Sequence, residues 1–425
     1  MSIKTFKCTV STLFLFVGIA GGLAALDSMD YRTGTPDPLI KKMPSSVSSF
    51  RSKGAEAYLK KVAEYIDENA ENEFDKVKKI HDWVALNIRY NTSAFFSGKI
   101  PSQTVTNVVS SGLAVCAGYS EVFYYLCGLL DVECETITGY GRGYGRSVFG
   151  VENPNKANHA WNKVRIDNNW YLIDTTWDSG IVSGRDFLPH YKTIYLFTPP
   201  EEFIYDHFPY SQEDQLLPVP MPAEEFIKLP ILEPEFFIYV ADLAPAMQKI
   251  MKINGRFFRM EFTSPVQHHF MFNLFASDGG KHNSLLTIRK RDGKWILTYH
   301  FQKPGNYRVS FYSSPNETGT HAGIGEFGFN VEIPNVKWGE LPGNAELIFP
   351  ETQGLLNNTL VEFKINPGKW KYLVLINSGN WQFLSPNEEN IHVINYKTPG
   401  TGAVYLAASE TECGAYETLA VFNVR

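Results

Sequence analysis

The sequence predicts an α+β chain in which a helical segment leads into a thiol-bearing core and two β-sandwiches follow. Three observations carry this. Apolar residues recur at helical spacing between residues 55 and 90 and again from Cys116. Two strand-like segments, Asn158–Val164 and Trp170–Gly180, flank the turn-rich Asp167-Asn168-Asn169. From Lys228 onward the texture changes to short alternating runs bounded by Gly, Pro, Asn and Asp, the pattern of a sandwich.

The chain has 425 residues, enough for about two to four domains, and its 44% hydrophobic and 20% charged content is that of globular protein. A net charge of −6 gives no argument for nucleic acid or for an anionic membrane surface. Lys4 and Lys7 precede an apolar run, Cys8–Leu26, that ends in small residues. Residues 1–25 therefore read as a signal peptide with cleavage after Ala24 or Ala25, and the mature chain is expected to be secreted or extracytoplasmic. A membrane enters only if this segment is uncleaved. Residues 26–54 are Pro- and Ser-rich without periodicity and predict a flexible leader.

Ala55–Asn69 is amphipathic, with Tyr58, Leu59, Val62 and Ile66 on one face. Glu73–Tyr90 predicts a second helix, with Phe74, Val77, Ile80, Val84 and Ile88 on its apolar face and His81 among charges on the solvent side. Asn91–Val109 is polar and predicts a loop. The next helix starts at or just before Cys116, and a thiol there sits at the positive end of the helix dipole, which favours thiolate. Cys127 and Cys134 predict buried thiols rather than a disulfide scaffold. Cys134–Tyr140 predicts a strand. Tyr140–Gly150 is Gly-rich but has no phosphate-loop signature, and predicts a mobile wall of a cleft.

The two strand-like segments supply the other polar groups. If Arg165 faces Trp170, His159 lies opposite Thr176 and Asp174 is its diagonal neighbour on the same face, roughly 7–8 Å away at the backbone. A Cys on a helix start, a His on a strand and an Asp beside it have the chemistry of nucleophile, base and orienter. Asp178 is the rival for the third position. Trp161 and Trp177 flank these strands, either as core packing or as walls of an acyl site. No HExxH or CxxC spacing occurs and His268-His269 are adjacent, so no metal and no cofactor is expected.

CAGYSEVFYYLCGLLDVECETITGY, NHAWNKV and WYLIDTTW, in that order, resemble the transglutaminase-like superfamily of papain-type thiol enzymes. Tyr191–Leu217 resembles the segment that follows the core in kyphoscoliosis-peptidase-like proteins. The resemblance implies a papain-like, transglutaminase-like core over residues 55–222. It makes Cys116, His159 and Asp174 the catalytic triad. Papain-type folds often use an upstream polar side chain for the oxyanion, which makes Gln103 a candidate beside the backbone N–H at Cys116.

Strands are predicted at Phe257–Phe262, Phe270–Phe275, Leu285–Arg289, Trp295–Phe301, Tyr307–Tyr312 and Phe327–Ile333. Lys303–Val309 resembles Thr398–Val404, and each is followed by Phe-Asn-Val, at 329–331 and 422–424. The offset is one immunoglobulin-like domain's length. Residues 223–335 and 336–425 thus predict two separate sandwiches, with Gly305 matching Gly400.

The expected function is a secreted thiol enzyme acting on protein amide bonds, a kyphoscoliosis-peptidase-like cysteine peptidase by resemblance. A transglutaminase or deamidase acting on protein glutamine, or an idle core that presents its sandwiches to a protein partner, are the alternatives.

Overall fold

The computed structural model describes residues 28–335 and 340–425, and the segment read as a signal peptide lies outside the described residues. The chain forms two units: residues up to Thr136 with Trp161–Phe197, and Ile137–Ala160 with Thr198–Arg425.

The first unit is built on three helices. α1 (Ala55–Asn69) and α2 (Glu73–Asn87) turn the predicted apolar faces inward, and α3 spans Cys116–Leu129. Leu59, Val62, Ile66, Val77, Ile80, Val84, Val122, Phe123 and Leu126 meet in one core cluster. α2 starts where Asn72 accepts a hydrogen bond from the Asp75 N–H at 2.9 Å, with Glu73 and Asp75 in the first turn to complement the dipole. It stops three residues short of the predicted end. Arg89–Tyr90 instead pairs in parallel with Leu113–Ala114.

Two expectations for this unit are corrected. The leader is packed: Ile40 and Val47 join the core, and short helical turns cover Pro38–Lys41 and Ser45–Lys53. Its Pro- and Ser-rich composition hid two apolar anchors spaced too widely to show a period. The polar stretch Asn91–Val109 holds two helices, Thr92–Ser97 and Val105–Ser111, each closed by a left-handed glycine, Gly98 and Gly112. These helices are short enough that cap residues rather than an apolar face define them.

β1 spans Cys134–Gly141 and β2 spans His159–Ile166, and β3 (Asn169–Ile173) pairs with β2 antiparallel. Arg165 does face Trp170. The turn is tighter than expected, because Asp167 and Asn168 both take positive φ and close a two-residue hairpin. The strand predicted through Gly180 ends at Ile173, and α4 (Thr175–Ser179) follows, with Asp174 as its cap.

In the second unit β4 (His207–Pro209) pairs with Gly139–Gly141 of β1. The loop after Gly141 is pinned rather than mobile. Arg142 is 1% exposed and Val148 and Phe149 press on Gly328, where an added Cβ would stand 2.8 Å from Val148.

The sandwich strands fall close to the predicted ones: β5 (Ile250–Asn254), β6 (Phe257–Thr263), β7 (His269–Ala276), β8 (Leu286–Arg291), β9 (Lys294–His300), β10 (Gly305–Ser314) and β11 (Ala322–Glu332). The C-terminal segment adds β12 (Gly354–Leu355), β13 (Leu360–Asn366), β14 (Tyr372–Asn377), β15 (Asn380–Phe383), β16 (His392–Lys397), β17 (Gly402–Ser409) and β18 (Gly414–Val424). The two segments repeat one topology. β10–β11 and β17–β18 are hairpins, and β5 and β12 pair in parallel with the second strand of each.

The repeat corrects one match. Gly305 pairs with Val331 and Gly402 pairs with Val424, the valines of the two Phe-Asn-Val motifs, so Gly305 corresponds to Gly402 and not to Gly400. The segments also share a sheet. Phe257, Phe258 and Arg259 of β6 pair with Tyr416, Ala415 and Gly414 of β18, and a nine-stranded sheet results. Phe257, Val374, Ile376, Ala407 and Tyr416 fill the join. Each segment's alternation was legible, but edge-to-edge pairing between segments leaves no periodic trace.

Candidate active site

Cys116 is the first residue of α3, and it is partly exposed. No side chain of the preceding Val115 caps the helix. The Val115 N–H instead donates to Gln103 Oε1 at 2.9 Å, while Gln103 Nε2 donates to the Pro101 carbonyl at 2.8 Å. Gln103 thus bridges the loop at Pro101 and the residue before the thiol. The first N–H groups of α3 point away from its body, so Cys116 sits in their partial positive charge.

The parallel ladder formed by Arg89–Tyr90 and Leu113–Ala114 brings Tyr90 to this helix start. Burial raises the Tyr90 phenol well above its ordinary pKa, and negative charge at Cys116 and at Asp174 adds to the rise. Tyr90 stacks on Tyr119 at 6.5 Å, and Tyr119 is held by the Ile88 carbonyl and by Ser179.

Asp174 is buried, and its Oδ1 accepts the Thr176 and Trp177 N–H groups at 2.8 and 3.3 Å. Its own N–H donates to the Tyr195 carbonyl at 3.0 Å. Asp178 is occupied elsewhere: its carboxylate accepts the Ile194 and Tyr195 N–H groups, each at 3.0 Å, and faces His81 Nε2 at 3.0 Å. Trp161 is buried and offers no open face to a ligand, while Trp177 packs edge-on against Tyr195 at 5.2 Å.

His159 opens β2. Its backbone is set by Asn158, whose N–H donates to the Gly139 carbonyl and whose side chain pairs with both backbone groups of Gly141. A Cβ at Gly141 would stand 3.0 Å from the His159 ring, so the imidazole packs closely over this glycine and would have to give by a few tenths of an ångström for any larger residue. His207 is beside it, the two ring centroids 5.3 Å apart. His207 is buried, stacked on Phe203 at 4.0 Å, with its Nδ1 2.6 Å from Asp206.

Residues 60–175 match the model of the transglutaminase-like superfamily, and residues 223–339 match the KY-like, immunoglobulin-like domain. The similarity to the transglutaminase-like superfamily covers the segment that holds Cys116, His159 and Asp174. Mouse kyphoscoliosis peptidase is 27% identical over 282 residues, covering 65% of this chain and 41% of that protein. The human protein of that name is 28% identical over 253 residues, covering 59% and 37%. The Lim and transglutaminase domain protein ltd-1 of Caenorhabditis elegans is 24% identical over 185 residues, covering 41% and 25%. The chain therefore spans about two fifths of the length of the kyphoscoliosis peptidases it matches.

Within this transglutaminase-like domain, four residues went unnoticed or were misread from sequence. His81 is fully buried between two carboxylates, not solvent-side. Its charged neighbours in sequence suggested water, but those neighbours are its partners. Tyr90 and Gly141 carry no motif of their own. Gly118 shows only as a small residue on a helix. An added Cβ there would lie 2.5 Å from Gln103 Oε1, 2.8 Å from the Ala114 Cβ and 2.9 Å from Val108. Gly118→Ala should therefore expel the Gln103 amide and destabilise the protein by about 1–3 kcal/mol. The check is a denaturant melt. A neutral change would mean that Gln103 is not seated there in solution.

Proposed function

We propose that Cys116, His159 and Asp174 act as the triad of a secreted thiol enzyme that opens protein amide bonds. The observation that carries this reading is the placement of Cys116 as the first residue of α3, in the segment that matches the transglutaminase-like superfamily. The Cys116 thiolate attacks the amide carbonyl, forming a C–S bond, and the carbonyl electron pair moves to oxygen. The backbone N–H at Cys116, with Gln103 as an auxiliary donor, stabilises that oxyanion. His159, as imidazolium, gives its proton to the departing amine as the C–N bond breaks. Asp174 holds the tautomer. Water then adds to the thioester, its proton passing to His159, and the acid leaves as the thiol is restored.

The resemblance to kyphoscoliosis peptidases favours water over an amine as acceptor. With an amine acceptor the same thioester would give transamidation, and the product masses separate the two. The sandwiches have the rigid strands and variable end loops suited to a protein partner.

The test is alkylation of the purified chain by iodoacetamide near pH 6, mapped by mass spectrometry. The contrast with the other thiols is built in. Burial raises Cys127 well above the usual thiol range, and burial together with Glu261 pushes Cys413 up to about 11. Cys116 should label first by a wide margin. Faster labelling of Cys134 would overturn the assignment.

A further inference from the structure

His81 lies on α2, with a carboxylate at each ring nitrogen. Nδ1 is 3.1 Å from Asp82 Oδ1 and Nε2 is 3.0 Å from Asp178 Oδ2. The remaining contacts of both carboxylates are donors. Asp82 also receives Lys78 Nζ at 2.6 Å, the Asp37 N–H at 2.7 Å and the Tyr191 hydroxyl at 2.5 Å. Asp178 also receives the Ile194 and Tyr195 N–H groups. A neutral imidazole would turn a lone pair toward one of these oxygens, whereas the imidazolium donates at both ends.

The clamp leads directly to Asp174. Asp178 sits one helical turn after Asp174, and its N–H donates to the Asp174 carbonyl at 3.3 Å. The Tyr195 N–H held by Asp178 belongs to the residue whose carbonyl accepts the Asp174 N–H. Both backbone anchors of Asp174 thus run through Asp178, and Asp178 is held by His81. We propose that His81 is a positioning residue for Asp174, acting as a doubly clamped imidazolium that fixes the loop and helix from which the acid projects. This rests on reading Asp174 as the triad acid.

Burial alone would lower the His81 pKa, but hydrogen bonds and charge from Asp178 and Asp82 outweigh it and raise it to about 9. The ordinary histidine value is about 6.5. A base whose folded pKa is raised contributes in full below its unfolded value and loses that contribution as pH rises through the folded one. The clamp's contribution to stability should therefore be complete below pH about 6.5, decline as pH rises further and be gone above about 9, while the folded protein keeps the imidazolium at pH 7. The groups facing the ring are Asp82 and Lys78 of α2, Asp178 of α4, Tyr191 of the following loop and, through its backbone, Asp37 of the leader.

The experiment is the pH profile of Cys116 alkylation by iodoacetamide in the full mature chain, for wild type, Asp174→Asn, His81→Gln and the double variant. Losing the oriented acid should move the acid limb of the profile upward by about one pH unit. His81→Gln should move it in the same direction by a similar amount, and the double variant should match Asp174→Asn alone. A His81→Gln protein that melts earlier but keeps the wild-type limb would overturn the proposal. An unmoved limb in Asp174→Asn would remove the triad reading itself, and the proposal with it. Should His81→Gln not fold, nitrogen-edited NMR of the unaltered protein decides. Two ring N–H resonances of His81 at pH 7, lost above about pH 9, support the clamp. A single ring N–H at pH 7 overturns it.

Discussion

Cys116→Ala should abolish amide turnover by the purified chain, with a loss of at least about 10⁴-fold, while leaving the melting curve in place. The size follows from the chemistry. Without the thiol there is no thioester, and the backbone donors can only polarise a carbonyl that has no attacking group. The fold should persist because the features that start α3 do not use the thiol: Gln103 holds the Val115 N–H, and the parallel ladder at Tyr90 fixes the approach. Turnover is read on an unfolded protein substrate by new α-amines, released ammonia and new cross-links, which separate peptidase, deamidase and transglutaminase. His159→Asn should cost a similar factor, since the departing amine then lacks its proton. Retained turnover in Cys116→Ala would sink the thiol mechanism.

The core was legible because its signals are local. An apolar face repeats within one helix, as in Ala55–Asn69, and the hairpin register from Arg165 to Trp170 follows from turn residues within a few positions. The triad candidates drew attention for a different reason: Cys116, His159 and Asp174 each stand in a motif that constrains several neighbours at once. What escaped is what depends on distant partners. His81 pairs with Asp178, 97 residues away, and nothing in either local sequence announces it. The leader's Asp37 N–H finds Asp82 across 45 residues. The join between the sandwiches needs Phe257 and Tyr416, whose strands each read as ordinary alternation.

The loop at Arg142 belongs to the same class and carries the second large effect. Its glycines suggested motion, yet the guanidinium is buried and every arm is used. Nε and Nη2 donate to Glu152 at 2.8 and 3.0 Å, Nη2 also to the Phe226 carbonyl at 2.8 Å, and Nη1 to the Tyr205, Leu229 and Pro230 carbonyls at 2.8, 3.2 and 3.2 Å. The guanidinium also lies over the Phe226 ring, 4.1 Å from its centroid. Arg142→Ala leaves four carbonyls without this donor and leaves Glu152 with Lys249 as its remaining ion-pair partner, at 2.8 Å. Removing one side of a buried pair costs about 3–5 kcal/mol, so the unfolding free energy of the second unit, read from a denaturant melt, should fall by that much. Arg142→Lys should recover little, since one ammonium cannot replace a planar fork aimed at several acceptors. The same contacts bear on truncation. A chain ending at Pro222 lacks Phe226, Leu229 and Pro230, so it should lose the anchor of the loop that follows Gly141, the residue against which the His159 ring lies. A loss below about 1 kcal/mol in Arg142→Ala would mean that water reaches the guanidinium and that the loop is held by Val148 and Phe149 against Gly328 instead.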